Sequence, residues 1–235
     1  MNRLQGVLAA AAVSLLPSPS AATEIRLGSE ITWVHDSSYD AFWTDDGMTR
    51  FDLGLSYTVA RPSILLLDVE AGYRYAGHLG ADIGFAAMST SLSLHEAYAG
   101  VRAAFDVGLS WFRPYARLQS GALFGTASFL DEAAGAVALE DWAPAAVVSA
   151  GAGVEFVLPP SFLSAGERVL LTEAFTFGVF VESGYSYRSA LSFSPRRPES
   201  DDPEVEADLI PAAGFSAGDL SLSGADLRIG LLARF

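Results

Sequence analysis

Residues 50–59, RFDLGLSYTV, place Phe51, Leu53, Leu55, Tyr57 and Val59 on one side of an extended chain and Arg50, Asp52, Gly54, Ser56 and Thr58 on the other. Strict alternation marks a β-strand, because successive side chains there point to opposite faces. The pattern recurs. In 24–34, Ile25, Leu27, Ile31 and Trp33 oppose Arg26, Gly28, Glu30 and Thr32; in 64–76, Leu65, Leu67, Val69, Ala71, Tyr73 and Tyr75 oppose Asp68, Glu70, Gly72 and Arg74. In 171–187, Phe175, Phe177, Val179, Val181 and Tyr185 oppose Thr176, Gly178, Glu182, Gly184 and Ser186. Further segments at 91–105, 113–125, 146–157 and 219–235 bring the expected strands to eight. Two of these change phase. Leu92 and Leu94 sit on even positions and Ala97, Ala99, Val101, Ala103 and Phe105 on odd ones, so that either a bulge shifts the register or the strand begins late. Leu220 and Leu222, followed by Leu227, Ile229 and Leu231, repeat that change.

Segments of roughly ten residues have the length of a tilted strand crossing a hydrocarbon layer. Their connections alternate between short and long: a tight turn at Ala60-Arg61-Pro62-Ser63, a polar stretch from Asp36 to Met48, long stretches near 77–90 and 126–145, and a short one near 106–111. This spacing predicts an all-β fold, an eight-stranded antiparallel up-and-down transmembrane β-barrel with short periplasmic turns and long extracellular loops. The Ala-rich stretch 131–140 is expected to hold a short helix. The 158–170 connection, with Pro159-Pro160, breaks the alternation by being long. Residues 189–218 form the largest loop, and its SPRRPESDDPEVEAD portion is too acidic and Pro-rich to bury itself, so mobility is expected there.

Alternation alone does not say which face meets water: a soluble sandwich turns its apolar face inward and a membrane barrel turns it outward. Three features favour outward. Gly28, Gly54, Gly72, Gly100, Gly151, Gly153, Gly178, Gly184 and Gly230 all fall on the polar face, where a solvated sheet gains nothing from them but a narrow, filled lumen needs room. The polar face also mixes signs at comparable depth, Arg26, Arg50, Arg74, Arg102, Arg117, Arg188 and Arg228 with Glu30, Asp52, Asp68, Glu70, Glu96, Glu155, Glu182 and Asp226, as a lumen charge network requires. Aromatics such as Trp33, Tyr57, Tyr73, Phe105, Tyr185 and Phe235 lie toward strand ends on the apolar face, where interfacial girdles sit.

Composition agrees. Hydrophobic residues make up 51% of the 235, mean hydropathy is +0.31, and charged residues still reach 18%, too many for a helical membrane bundle. The net charge of −14 and the lack of a basic patch exclude a nucleic-acid partner. Every cation is Arg, which a GC-rich genome explains more readily than ion pairing does. Absence of Cys excludes disulfides and thiolate metal sites, and no cofactor motif is present. Arg3, the apolar stretch Leu4 to Leu16, Pro17, Pro19 and Ser20-Ala21-Ala22 read as a signal peptide over 1–22, with the barrel domain at 23–235.

The last strand, DLRIGLLARF, ending in Phe235, resembles the C-terminal assembly signal of bacterial outer-membrane barrels, and the chain as a whole looks like the small eight-stranded barrels of the OmpA/OmpX type. The resemblance implies location in the bacterial outer membrane, among lipid bilayer and lipopolysaccharide, and insertion by the outer-membrane assembly machinery with Leu231, Ala233 and Phe235 as the recognised face. With no periplasmic domain expected after the barrel, a peptidoglycan-anchoring role finds no support.

Of the three histidines, His35, His78 and His95, only the first sits in a compact group with nucleophile and acid types, His35-Asp36-Ser37. His35 and Ser37 are the weak catalytic candidates. They resemble, loosely, the His-x-Ser pair of outer-membrane lipid A deacylases, although at a different place in the chain. The loop acids Asp40, Asp45, Asp46, Asp131, Glu132, Glu140, Asp141, Asp201, Asp202 and Glu204 show no cation-binding spacing. The expected function is a non-enzymatic envelope or surface-interaction role; a lipid-modifying enzyme and a narrow channel are the alternatives.

Overall fold

A computed structural model of the chain describes residues 23–42, 45–83, 88–131, 136–158, 176–193 and 218–235. The signal peptide read over 1–22, the SPRRPESDDPEVEAD stretch and nearly all of the 158–170 connection lie outside the described residues. Among the described residues ten strands follow in order: β1 (Thr23–Val34), β2 (Gly47–Ala60), β3 (Leu65–Ile83), β4 (Met88–Phe105), β5 (Phe112–Asp131), β6 (Ala136–Val157), β7 (Thr176–Arg188), β8 (Leu191–Phe193), β9 (Gly218–Leu220) and β10 (Gly224–Arg234). Eight close into an antiparallel barrel in the order β1-β10-β7-β6-β5-β4-β3-β2, and β8 pairs with β9 in a sheet of its own. The seam joins the first strand to the last, Glu24 opposite Arg234 through Val34 opposite Gly224.

The barrel is inside out relative to a soluble sheet. Leu55, Val101 and Ile229 are 54%, 55% and 58% exposed, whereas Glu30, Asp52 and Glu96 are fully buried. Along β4, Phe105 and His95 both face outward ten residues apart, about 25 Å of wall height at roughly 3.3 Å per residue and a tilt near 40°. Wall residues between such aromatic positions are mostly Leu, Val, Ile and Ala with an occasional Ser or Pro.

The structure corrects several expectations. β3, β4, β5 and β6 run well beyond the wall of the other strands, so the stretches read as loops at 77–90 and 126–145 are largely continued hairpins. Strand, not helix, forms the described part of the 131–140 stretch: β6 starts at Ala136, where Ala136, Val137 and Leu139 pair with β5 and the ladder's hydrogen bonds outweigh alanine's helix propensity. The 219–235 segment is not one strand but two, parted at 221–223.

Neither phase change is a register shift. Leu92 and Leu94 are buried on the same even positions as Glu96, Tyr98 and Arg102, and β4 keeps an unbroken register with β5 from Met88 to Ala104. What changes is the filling of the barrel, apolar near one end and ionic beyond it; Leu220 and Leu222, ahead of buried Asp226 and Arg228, repeat this. One-residue slips do occur between Thr58 and Ala60 in β2, between Ala76 and Leu79 in β3, where that strand passes Leu94 and Leu92, and where β6 passes Phe129 and Leu130, but they leave the inward phase of β4 unchanged.

Candidate functional site

Alternation aims one side chain in two from each barrel strand at a common axis, and the axis is ionic. Toward the end carrying the 61–64 and 106–111 turns, Arg102 on β4 lies 2.7 Å from Asp68, 2.9 Å from Glu24 and against Glu155. Arg26 joins Glu24 at 2.6 Å and also meets Glu155. Arg234 bridges Glu24 and Glu155 across the seam, and Arg113 reaches Glu155 at 3.6 Å.

A second cluster fills the middle of the barrel. Arg74 spans Asp52 at 3.0 Å, Glu30 at 3.1 Å and Glu96, and its third nitrogen donates to Gln119. Arg50 joins Glu30 to Glu96. Arg228 links Asp52 at 2.9 Å to Glu182 at 2.8 Å, and Arg117 pairs with Glu182. Glu70 accepts from Gln119, and Asp226 accepts from Thr32 and Ser186.

Three inward aromatics separate and brace the clusters. Arg26 stands 4.9 Å from the ring centres of both Tyr115 and Phe180, Arg228 stands 5.1 Å from Phe180, and Arg74 lies 4.2 Å from Tyr98, all within cation-π range. Tyr115 donates to Glu182 at 2.8 Å and Tyr98 to Asp52 at 3.1 Å. These rings fit because glycines face them: a Cβ on Gly153 would come within 2.8 Å of Tyr115, and one on Gly230 within 2.7 Å of Phe180.

Among the described residues of this lumen, nine arginines (26, 50, 74, 102, 113, 117, 188, 228 and 234) meet nine carboxylates (24, 30, 52, 68, 70, 96, 155, 182 and 226). Matched numbers are what a packed interior requires, since a buried charge stripped of its partner costs about 3–5 kcal/mol. The forked guanidinium explains the value of Arg here: Arg50, Arg74, Arg102 and Arg228 each bridge two or more carboxylates, which the single ammonium of Lys does poorly.

At the far end the filling becomes apolar. Tyr39 and Phe42 from the first loop, Leu92, Leu94, Leu123 and Phe129 from β4 and β5, and Leu191, Phe193, Leu220 and Leu222 from the β8–β9 region form one buried cluster. β8 sits so close to β5 that a Cβ on Gly125 would lie 2.9 Å from Leu191 and 3.2 Å from Phe193. Arg188 ties this cap to the ionic filling, donating 2.8 Å to the Leu222 carbonyl while lying 3.3 Å from Glu96.

The candidate catalytic group does not assemble. His35 and Ser37 are both exposed, and Asp36 accepts from the backbone N–H groups of Ser38 at 2.9 Å and Ser221 at 2.8 Å. Asp36 thus caps the short 3-10 helix Ser37–Ala41 and anchors the approach to β10 rather than orienting His35. Those N–H groups hold its carboxyl below the usual aspartate range, while burial pushes the Tyr39 hydroxyl up. Leu231 and Phe235 face outward at the seam, Ala233 between them is half-buried, and Thr23 and Phe235 exchange two backbone hydrogen bonds of 2.9 Å. No cluster of three or more His, Asp or Glu able to hold a metal occurs among the described residues. Sequence reading missed Glu24, Gln119, Arg113, Arg234 and the three inward rings, though the even phase of Tyr98 and Phe180 signalled their direction.

No family model matches the chain, and no curated protein sequence does. Solved structures similar to it are small outer-membrane proteins. Ail of Yersinia pestis, in complex with the heparin analogue sucrose octasulfate, is 15% identical over 92% of this chain and 99% of its own, with a TM-score of 0.44. Neisserial surface protein A is 13% identical over 91% and 95%, with a TM-score of 0.39. A major outer membrane protein of Thermus thermophilus is 10% identical over 91% and 99%, with a TM-score of 0.47. The closed ring of eight antiparallel strands, apolar outside and ionic within, gives this chain the fold of a small eight-stranded outer-membrane-type β-barrel.

Proposed function

We propose that the protein is a non-conducting, non-enzymatic barrel of the bacterial outer membrane that serves envelope structure or surface interaction. The observation that carries this reading is the filling of the lumen: matched arginines and carboxylates, three rings between the clusters and an apolar cap over them. The wall supports the location, since the apolar band is about as tall as the hydrocarbon layer and aromatics flank it. The turns at 61–64 and 106–111 then face the periplasm and the cap faces outside, and Leu231, Ala233 and Phe235 offer the assembly machinery an outward edge. Engagement of Asp36 by backbone N–H groups speaks against the deacylase alternative.

The experiment is planar-bilayer recording of the purified protein, paired with a gel of heated and unheated samples. The expected result is a heat-dependent shift in mobility, reporting a folded barrel, with no conductance steps. Steady steps of water-filled size overturn the sealed lumen, and a protein that stays soluble and monomeric without detergent overturns the membrane location.

A further inference from the structure

Resting on the outer-membrane reading, one patch of the wall departs from the rest. Phe51, Tyr75, His95, Phe124 and Pro144 are direct neighbours across β2, β3, β4, β5 and β6, a continuous row around one side of the barrel. His95 faces outward and is exposed; among the described outward-facing residues of the barrel strands it alone can carry a positive charge, every Arg of those strands being turned inward. Its ring stands 5.0 Å from that of Tyr75 and 6.1 Å from that of Tyr73, and its Nδ1 is hydrogen-bonded to the Tyr73 hydroxyl. That bond leaves Nε2 as the nitrogen able to donate to a ligand.

Just beyond the row, toward the cap, the wall changes from rings to hydroxyls. Ser93 pairs directly with Thr126, and Ser91 with Ser128, whose side-chain oxygens lie 2.7 Å apart. An aromatic shelf, one imidazole N–H donor and a bank of hydroxyls at the height where hydrocarbon gives way to headgroups match a ligand with flat apolar ring faces, several hydroxyls and a negative charge.

We propose that His95, Tyr73, Tyr75, Phe124, Ser93 and Thr126 form a binding site for the phosphorylated sugar headgroup of an outer-leaflet glycolipid. Nε2 of His95 donates to the phosphate, sugar faces stack on Tyr75 and Phe124, and the hydroxyls take up the sugar's hydrogen bonds.

The test is native mass spectrometry of the folded protein in neutral detergent, offered a phosphorylated diglucosamine lipid or the same lipid with its phosphates removed. Wild-type protein is expected to retain the phosphorylated lipid about tenfold better, the worth of one hydrogen bond to a charged group. His95→Phe, which keeps the ring, is expected to lose the preference and His95→Lys to keep it. Equal retention of the two lipids, an unchanged preference in His95→Phe, or displacement of the lipid by excess inorganic phosphate overturns the site. Because every sample is first shown to be folded and membrane-partitioned, such a failure leaves the outer-membrane reading untouched.

Discussion

Gly72 on β3 and Tyr98 on β4 divide one volume between them: a Cβ on Gly72 would overlap the Tyr98 hydroxyl, the group that donates to Asp52. Arg74 then lies over that ring. Gly72→Ala therefore pushes against backbone and ring together, because the Leu53 carbonyl closes the other side. A loss of about 1–3 kcal/mol is expected in urea unfolding followed by tryptophan fluorescence, and Tyr98→Ala in the same chain should recover part of it.

Glu96 is shared by Arg50, Arg74 and Arg188. Glu96→Ala strands positive charge in the barrel and is expected to cost about 3–5 kcal/mol, seen in the same unfolding measurement. Pairing it with Arg50→Met should restore a substantial part, since the charges balance again; two losses that simply add would mean the network is not coupled.

Leu53 and Asp52 are neighbours in the chain on opposite sides of the wall. Leu53→Arg is expected to lose about 2–4 kcal/mol of stability in bilayers by placing a charge against hydrocarbon. The same change at Ser63, in the turn, should be nearly silent. A well-tolerated arginine at 53 would reverse the assignment of faces.

Leu222 seals the cap and its carbonyl accepts from Arg188. Leu222→Ala is expected to cost about 2–5 kcal/mol locally. Hydrogen exchange should quicken in Leu191–Phe193 and Gly218–Leu220 while the barrel's heat-dependent gel shift persists, separating cap from wall.

Asp36 gives a pH dependence of known sign. Its carboxyl ionises more readily in the folded chain because two N–H groups donate to it, so the stability it adds is fully present above about pH 4, the ordinary aspartate value, and is lost as pH falls through its lower folded value. Exchange of the Ser221 amide should quicken over that acid range in the wild type, and Asp36→Asn should flatten the response.

The wall was legible because period two is a local rule: Phe51, Leu53 and Leu55 declare one face within six residues, and the glycines and arginines opposite declare the other. The partners were not. Which glycine faces which ring depends on how far neighbouring strands are staggered around the barrel, and alternation carries no information about stagger. Glu24 and Arg234 sat too near the ends of the recognisable pattern to be read as lumen residues. The cap was hidden for another reason. β8 is three residues long, Leu191-Ser192-Phe193, and offers no periodicity; only its fit against Gly125 shows why it is buried. The change of phase at Leu94 and Glu96 did carry the information, as a boundary between two fillings.

Arg228 and Arg234 reach the axis on β10, the strand that seals the ring against β1. Asp52, Glu182 and Glu24 already meet Arg74, Arg117 and Arg26 from other strands, and β10 gives each of them a further cation. Leu220 and Leu222 of the cap stand directly before that strand in the chain. Seam, axis and stopper are thus tied to one short stretch of chain, and a chain ending before β10 loses the ring's closure together with Arg228, Arg234 and Asp226, which leaves its axis one cation short.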